Sequence, residues 1–213
     1  LKFARNKHGR DFIIGDLHGC FDLLLECLEK VNFNSGTDRL FSTGDLIDRG
    51  PDSMECLKLI ESPWFHPVIG NHEELMLNSI LGNKDKYLWE MNGGIWHRYE
   101  DREELERLVQ IIKDRIPYAI TLVTKSGDEV GICHAQPPSI DWLDAIENPT
   151  DRDIKIMLWA RSWIEDKLQE PVININRTYH GHTIVASPEL VANAMFIDTG
   201  AFYTDNLTIL EIK

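Results

Sequence analysis

The sequence predicts an α/β fold in which two packed β-sheets are flanked by helices, and three observations predict it. In the first third, apolar strand-like runs alternate with helical patterns as β-α-β-α-β-α, which implies parallel strands joined by right-handed crossovers. In the last third, short strand-like runs follow one another with little helix between them. No internal repeat, low-complexity tract or Gly/Ser linker interrupts residues 1–213, so they read as a single domain long enough to bury a full core.

Taken in order, Phe12 to Gly15 reads as a short buried strand, followed by a helix carrying Phe21, Leu24, Leu25, Leu28 and Val31 on one face. Arg39 to Gly44 is the next strand, then comes a loop with Pro51 and Asp52 and a helix containing Met54, Leu57, Leu59 and Ile60. Pro67 to Gly70 is the third strand and leads into a helix from Glu73 to Leu81. A charged amphipathic helix spans about Arg102 to Arg115 and stops at Pro117. Tyr118–Thr124 and Glu129–His134 flank Ser126-Gly127-Asp128, a hairpin signal. A further helix is expected over Arg152–Leu168, then strands over Val172–Asn176, Tyr179–Thr183, Leu190–Ile197 and Leu207–Ile212.

Composition excludes several classes. At 43% hydrophobic and 27% charged the chain is neither disordered nor a membrane protein, and no apolar run reaches the roughly 18–20 residues of a spanning helix. A net charge of −13 argues against general nucleic-acid binding, since phosphate backbones would be repelled. Cys20, Cys27, Cys56 and Cys133 form no CxxC pair and read as small buried hydrophobes in a reducing compartment. The start shows no signal-peptide-like apolar region.

The chemistry sits at strand ends. GDLHG (15–19), GDLIDRG (44–50) and GNHE (70–73) each follow an apolar strand, where open α/β sheets bind ligands. As turn formers alone, the glycines and Asp16 would be explained, but His18 would not, nor the threefold recurrence. Two later histidines, His134 in GICHA and His182 in HGHT, also follow apolar strands. Asp16, Asp45, Asn71 and the imidazoles form a mixed oxygen and nitrogen donor set without thiolate, which suits Mn²⁺, Fe or Zn²⁺. Six donors suit two ions sharing a carboxylate. Such a pair lowers the pKa of a bridging water and neutralises charge on a phosphate held between the ions.

In this order the three motifs resemble those of the PPP-type phosphoprotein phosphatases within the calcineurin-like metallophosphoesterases. The likeness is greatest to the small phage and bacterial Prp-type serine/threonine phosphatases, with SPWF, MNGG, GHT and IDTGA also matching. It covers nearly the whole chain. The resemblance implies the calcineurin-like fold, a β-sandwich flanked by helices, and a dinuclear, usually Mn²⁺-supported phosphomonoesterase acting on phosphoproteins or phosphopeptides. It further implies that Asp16 and His18 hold one ion, that Asp45 bridges, and that Asn71, His134 and His182 hold the other. His72 would protonate the leaving alkoxide with Asp48 orienting it, Arg49 and Arg161 would clamp the phosphoryl oxygens, and a metal-activated hydroxide would attack in line.

The chief rival is a symmetrical diadenosine tetraphosphate hydrolase, which shares the three motifs. A non-catalytic phosphate-binding or regulatory module is the remote alternative. His180 reads as a poorer ligand than His182, and His8, His66 and His97 as surface or loop residues. Trp89, Trp96, Trp159 and Trp163 read as core or helix-face anchors, and Asn92-Gly93-Gly94 as a tight turn. Two departures from the family pattern stand out: Ile69 replaces the usual Arg before GNHE, so that either Arg98 or Arg102 substitutes or the enzyme is weaker or accepts different substrates, and Gln136 replaces an acidic residue, with an expected effect on the rim near His134.

Overall fold

The computed structural model describes residues 1–82, 84–167 and 170–213. Its strands are β1 (Lys2–Phe3), β2 (Asp11–Ile14), β3 (Arg39–Ser42), β4 (Phe65–Pro67), β5 (Ala119–Val123), β6 (Glu129–Cys133), β7 (Arg177–His180), β8 (Glu189–Val191), β9 (Ala194–Phe196) and β10 (Ile209–Ile212). Its helices are α1 (Phe21–Lys30), α2 (Ser53–Lys58), α3 (Asn71–Ile80), α4 (Lys86–Met91), α5 (Arg102–Arg115), α6 (Trp142–Ile146), α7 (Asp151–Trp159), α8 (Ser162–Glu165) and α9 (Ala201–Thr204). One sheet runs β10-β2-β3-β4 and the other β1-β5-β6-β7-β9-β8. β2, β3 and β4 are parallel, with Phe12 opposite Leu40 and Leu40 opposite Phe65, while β10 returns antiparallel on β2.

Alternation along β2 explains the layering. Phe12 and Ile14 face the helices, packing with Leu24, Leu57, Leu75 and Leu108, whereas Ile13 faces the second sheet with Phe41, Ile120, Ile132 and Tyr179. A strand covered on both faces needs an unbroken apolar run, which DFII supplies. Helix α5 is amphipathic, burying Leu105, Leu108, Val109 and Ile112, and Asp101 caps its start by accepting from the Glu104 amide at 2.8 Å.

Several boundaries differ from the sequence expectation. The third strand lies at Phe65–Pro67 rather than Pro67–Gly70: Val68 N–H still reaches Ser42, but Ile69 N–H turns to the Pro117 carbonyl. The long helix over Arg152–Leu168 is broken at Ala160, whose ψ of 146° is extended, leaving α7 and a single-turn α8. Leu168 itself lies outside the described residues. Val172–Asn176 makes only an isolated bridge, Asp141 to Ile173, because Asn174 turns left-handed at φ 60°. Leu190–Ile197 is a hairpin of β8 and β9 rather than one strand, with Ala192 at φ 53° in its turn. α4 and α6 are too short to leave a periodic signal.

Candidate active site

Six strand ends from both sheets converge on one cluster. Asp16 and His18 follow β2, while Asp45, Asp48 and Arg49 follow β3. Asn71 and His72 open α3 after β4, and His134, His182 and Asp198 follow β6, β7 and β9. Holding side chains inward from such short loops costs backbone strain: His18, Asp45, Asp48, Arg49 and His182 have φ of 43°, 48°, 74°, 73° and 65°, a region that side-chain-bearing residues rarely adopt. Two glycines are required by close approach. A Cβ on Gly181 would lie 1.8 Å from Asp16 Oδ1, and one on Gly70 would lie 2.2 Å from Asp45 Oδ1.

The imidazoles share one arrangement. His18 Nδ1 donates to the Ile47 carbonyl at 2.9 Å and His134 Nδ1 to the Thr43 carbonyl at 2.8 Å, and a carbonyl can only accept. Burial lowers the pKa of both rings, His18 to about 3, so both are neutral and each presents a lone pair from Nε2. His182 is likewise lowered by burial to about 3, and its Nε2 is buried without a partner. Proton-bearing Nδ1 on a backbone carbonyl with Nε2 left free is the usual state of a metal-ligating histidine.

The cluster is chemically incomplete as a set of protein atoms. His134 Nε2 stands 2.9 Å from Asn71 Oδ1, two acceptors face to face. Asp45 Oδ2 lies 3.5 Å from both His18 Nε2 and His134 Nε2. The groups His18–Asp45–His72 and Asp45–His134–His182 each offer three atoms close enough to hold an ion, with Asp45 shared. Asp16 accepts from Thr43 Oγ1 at 2.9 Å and from the His182 amide at 2.8 Å, yet burial, Asp198 and Asp45 push its pKa well up. Converging lone pairs and carboxylates that disfavour one another's charge are a donor set suited to divalent cations.

Arg49 supplies positive charge to these acceptors in the structure. Its guanidinium donates from Nη1 to His18 Nε2 at 2.8 Å and from Nη2 to His72 Nε2 at 2.9 Å, and it lies 4.8 Å from the Phe202 ring centre. It therefore competes for the two positions where His18 would bind an ion and His72 would carry a proton.

His72 and Asp48, which the family resemblance pairs, meet in the structure. His72 Nδ1 donates to Asp48 Oδ2 at 2.7 Å, and both residues are fully buried. Burial disfavours the imidazolium, but Asp45 and Asp48 outweigh it and hold the His72 pKa above its ordinary value. Asp48 also accepts from Trp96 Nε1 at 2.6 Å and from Trp89 Nε1 at 2.9 Å.

Arg161 stands where α7 breaks. Its Nη1 donates to the His182 carbonyl and to Thr183 Oγ1, both at 3.1 Å, and it lines a cleft of about 500 Å³ with Arg49, Asn92, Trp159, Ile184 and Phe202. Thus the structure brings all ten sequence-predicted residues to one place. It also brings in residues that sequence reading passed over. Glu73 accepts from the amides of Asp45, Leu46 and Gly70 at 2.8–2.9 Å, tying the second and third motifs together. Its signal was its place three residues into α3, a capping-box position. Asp198, in the IDTGA segment, is buried beside Asp16 and Asp45, and burial raises its pKa to about 6.

Other expectations are corrected. Ile69 is buried in the helix-side core, and neither Arg98, paired with Glu90, nor Arg102, paired with Glu106, lines the cleft. Gln136 does not rim the cleft: its Oε1 accepts from the Trp163 amide at 3.0 Å and from Ser162 Oγ at 3.2 Å, at the start of α8. His66 is a strand residue packed between Phe3 and Phe41, and His97 stacks on Trp89. Trp159 is 43% exposed at the cleft rather than a core anchor. His180, by contrast, keeps its reading as the poorer ligand: it is a core histidine with Nε2 bonded to Thr178 Oγ1 at 2.8 Å.

Comparison with known proteins agrees with this geometry. A serine/threonine-protein phosphatase 2 of Salmonella typhimurium is 38% identical over 208 residues, covering 95% of this chain and 92% of its own length. A symmetrical bis(5'-nucleosyl)-tetraphosphatase of Actinobacillus pleuropneumoniae is 45% identical over only 75 residues, 34% of this chain and 28% of that protein. The solved structure of a proposed diadenosine tetraphosphatase superposes with a TM-score of 0.69 at 21% identity, covering 99% of this chain and 96% of that one, which speaks for the fold alone. The family model of the calcineurin-like phosphoesterases matches residues 12–196. The chain therefore belongs to the calcineurin-like phosphoesterases.

Proposed function

We propose that this chain is a metal-dependent protein serine/threonine phosphatase whose six donors hold two divalent ions, with Mn²⁺ as the ion used. The observation that carries the reading is the pair of donor groups sharing Asp45, together with the partnerless Nε2 of His182 and the His134 Nε2 lone pair set against Asn71 Oδ1. The near full-length likeness to a protein phosphatase supports the substrate class over a dinucleotide, for which the likeness is partial. A phosphoprotein or phosphopeptide is thus the proposed substrate, and the four unpaired cysteines suit a cytoplasmic setting.

In this reading Asp16 and His18 hold one ion, Asn71, His134 and His182 the other, and Asp45 both. Bound there, the ions supply Lewis-acid activation of water and neutralise phosphoryl charge. Arg49 leaves the histidines to grip the phosphoryl group from one side, and Arg161 grips it from the other. Withdrawal of Arg49 frees His72 Nε2 to carry the proton that the leaving alkoxide takes, while Asp48 keeps the ring oriented.

His72→Asn tests the acid role. A serine alkoxide needs a proton to leave and a nitrophenolate does not, so kcat should fall at least about 100-fold on a phosphoserine peptide and far less on p-nitrophenyl phosphate. Equal losses, accompanied by a drop from two bound ions to one, would make His72 a ligand instead. Wild-type enzyme preferring diadenosine tetraphosphate to the peptide in kcat/KM would overturn the substrate class.

A further inference from the structure

Asp48 is the carboxylate of the site held entirely by side-chain rings. At 0% exposure it accepts from three ring nitrogens: His72 Nδ1 on Oδ2 at 2.7 Å, Trp96 Nε1 on Oδ1 at 2.6 Å, and Trp89 Nε1 on Oδ2 and Oδ1 at 2.9 and 3.1 Å. Its own amide donates to Ser53 Oγ at 2.9 Å. We infer that Trp89 and Trp96 form an indole clamp that positions Asp48, and through it His72, for the protonation step. They are positioning residues, since neither tryptophan lines the cleft and both act through Asp48. This rests on the reading of His72 as the leaving-group acid.

An indole suits the task for a chemical reason. Its N–H is a donor only and does not titrate in the working range, so it stabilises the carboxylate without competing for the proton that His72 handles. Charge-assisted hydrogen bonds of this kind are short and directional. Two of them, Trp96 on Oδ1 and Trp89 shared between both oxygens, fix the plane of the carboxylate as well as its place. That plane decides which nitrogen of His72 faces Asp48 and which faces the cleft.

The local chain is shaped for this convergence. Trp89 ends up fully buried on α4 and Trp96 half-buried in the 3₁₀ turn Gly94–Tyr99, with the rings edge-to-face at 6.0 Å and 89°. Between them Gly93 takes φ 112°, and a Cβ on Gly94 would lie 2.4 Å from Trp89 Nε1. The NGG turn therefore folds the segment back so that both N–H groups meet one carboxylate. On its far face Trp89 stacks on His97 at 4.8 Å and 19°, and His97 Nε2 meets Glu90 Oε1 at 3.0 Å. The clamp is braced from behind.

Trp96→Phe keeps the ring and removes the N–H. With Mn²⁺ present, kcat on a phosphoserine peptide should fall about tenfold, with KM unchanged and p-nitrophenyl phosphate turnover nearly so. Equal losses on both substrates, or a change confined to KM, would reduce the indole to a packing role. His72→Asn run alongside separates the two readings. If it discriminates between the substrates and Trp96→Phe does not, the clamp fails and the acid role stands. If neither discriminates, the acid reading itself fails. Folding of the variant is bypassed by the native protein: of its six indole N–H signals in ¹⁵N NMR, two should lie downfield and move in Asp48→Asn. No such pair would overturn the clamp.

Discussion

Two buried carboxylates a few residues apart, Asp45 and Asp48, are treated in opposite ways. Asp48 is surrounded by N–H donors, and the protein alone satisfies it. Asp45 accepts from the His72 amide at 3.0 Å, but its other oxygen faces the lone pairs of His18 and His134, with Asp16 and Asp198 nearby. The lesson is that burial of charge is completed internally around Asp48 and left open around Asp45, whose neighbours could hold a cation. An incomplete cluster costs stability until a ligand fills it.

The largest effect that could break this comparison is on metal. Chelation should abolish phosphatase activity, and Mn²⁺ added to metal-free protein at about a hundred times its Kd should raise Tm by roughly 5–10 °C. The same addition to Asp45→Asn should give much less. A wild-type Tm indifferent to Mn²⁺, Fe²⁺ and Zn²⁺ alike would mean that the cluster is not a cation site.

A smaller effect sharpens it. Burial raises the Asp198 pKa to about 6, against about 3.9 for a free carboxyl, so the folded state binds this proton more tightly than the unfolded chain. The penalty is therefore absent below about pH 4 and fully present above pH 6. Asp198→Asn should stabilise the metal-free protein by on the order of 2 kcal/mol at pH 7 and by almost nothing at pH 4. Urea melts at the two pH values decide it; equal stabilisation at both would remove the charge argument.

The smallest expected effect concerns the missing arginine. Arg98 and Arg102 are exposed and paired with Glu90 and Glu106 outside the cleft. Arg98→Ala and Arg102→Ala should each change kcat/KM on a phosphopeptide by no more than about twofold, as for other surface pairs. A tenfold loss in either would show that the side chain reaches the phosphate after all.

The sequence by itself determined the donor set and its grammar. GDLHG, GDLIDRG and GNHE pin Asp16, His18, Asp45, Asp48, Arg49, Asn71 and His72 to strand ends, because a βα repeat of fixed length brings successive ends side by side. It also determined the two-sheet layering, whereas the choice of His182 over His180 in HGHT came from the family resemblance of GHT. Only the tertiary structure decided the rest. Asp198 acts from a loop distant in sequence, so no local spacing announces it, and Glu73, legible only as a capping-box residue, reaches the Asp45 and Leu46 amides once the second and third motifs meet. Trp89 and Trp96 read as apolar anchors in one dimension and become hydrogen-bond donors only when the NGG turn folds them onto Asp48. The break after α7 is the clearest instance. Helical propensity carries the pattern through Ala160, and the bonds from Arg161 to His182 and Thr183 coincide with the point where it stops. Periodicity reports what a segment prefers alone, whereas the site depends on contacts between segments that meet only in the folded chain.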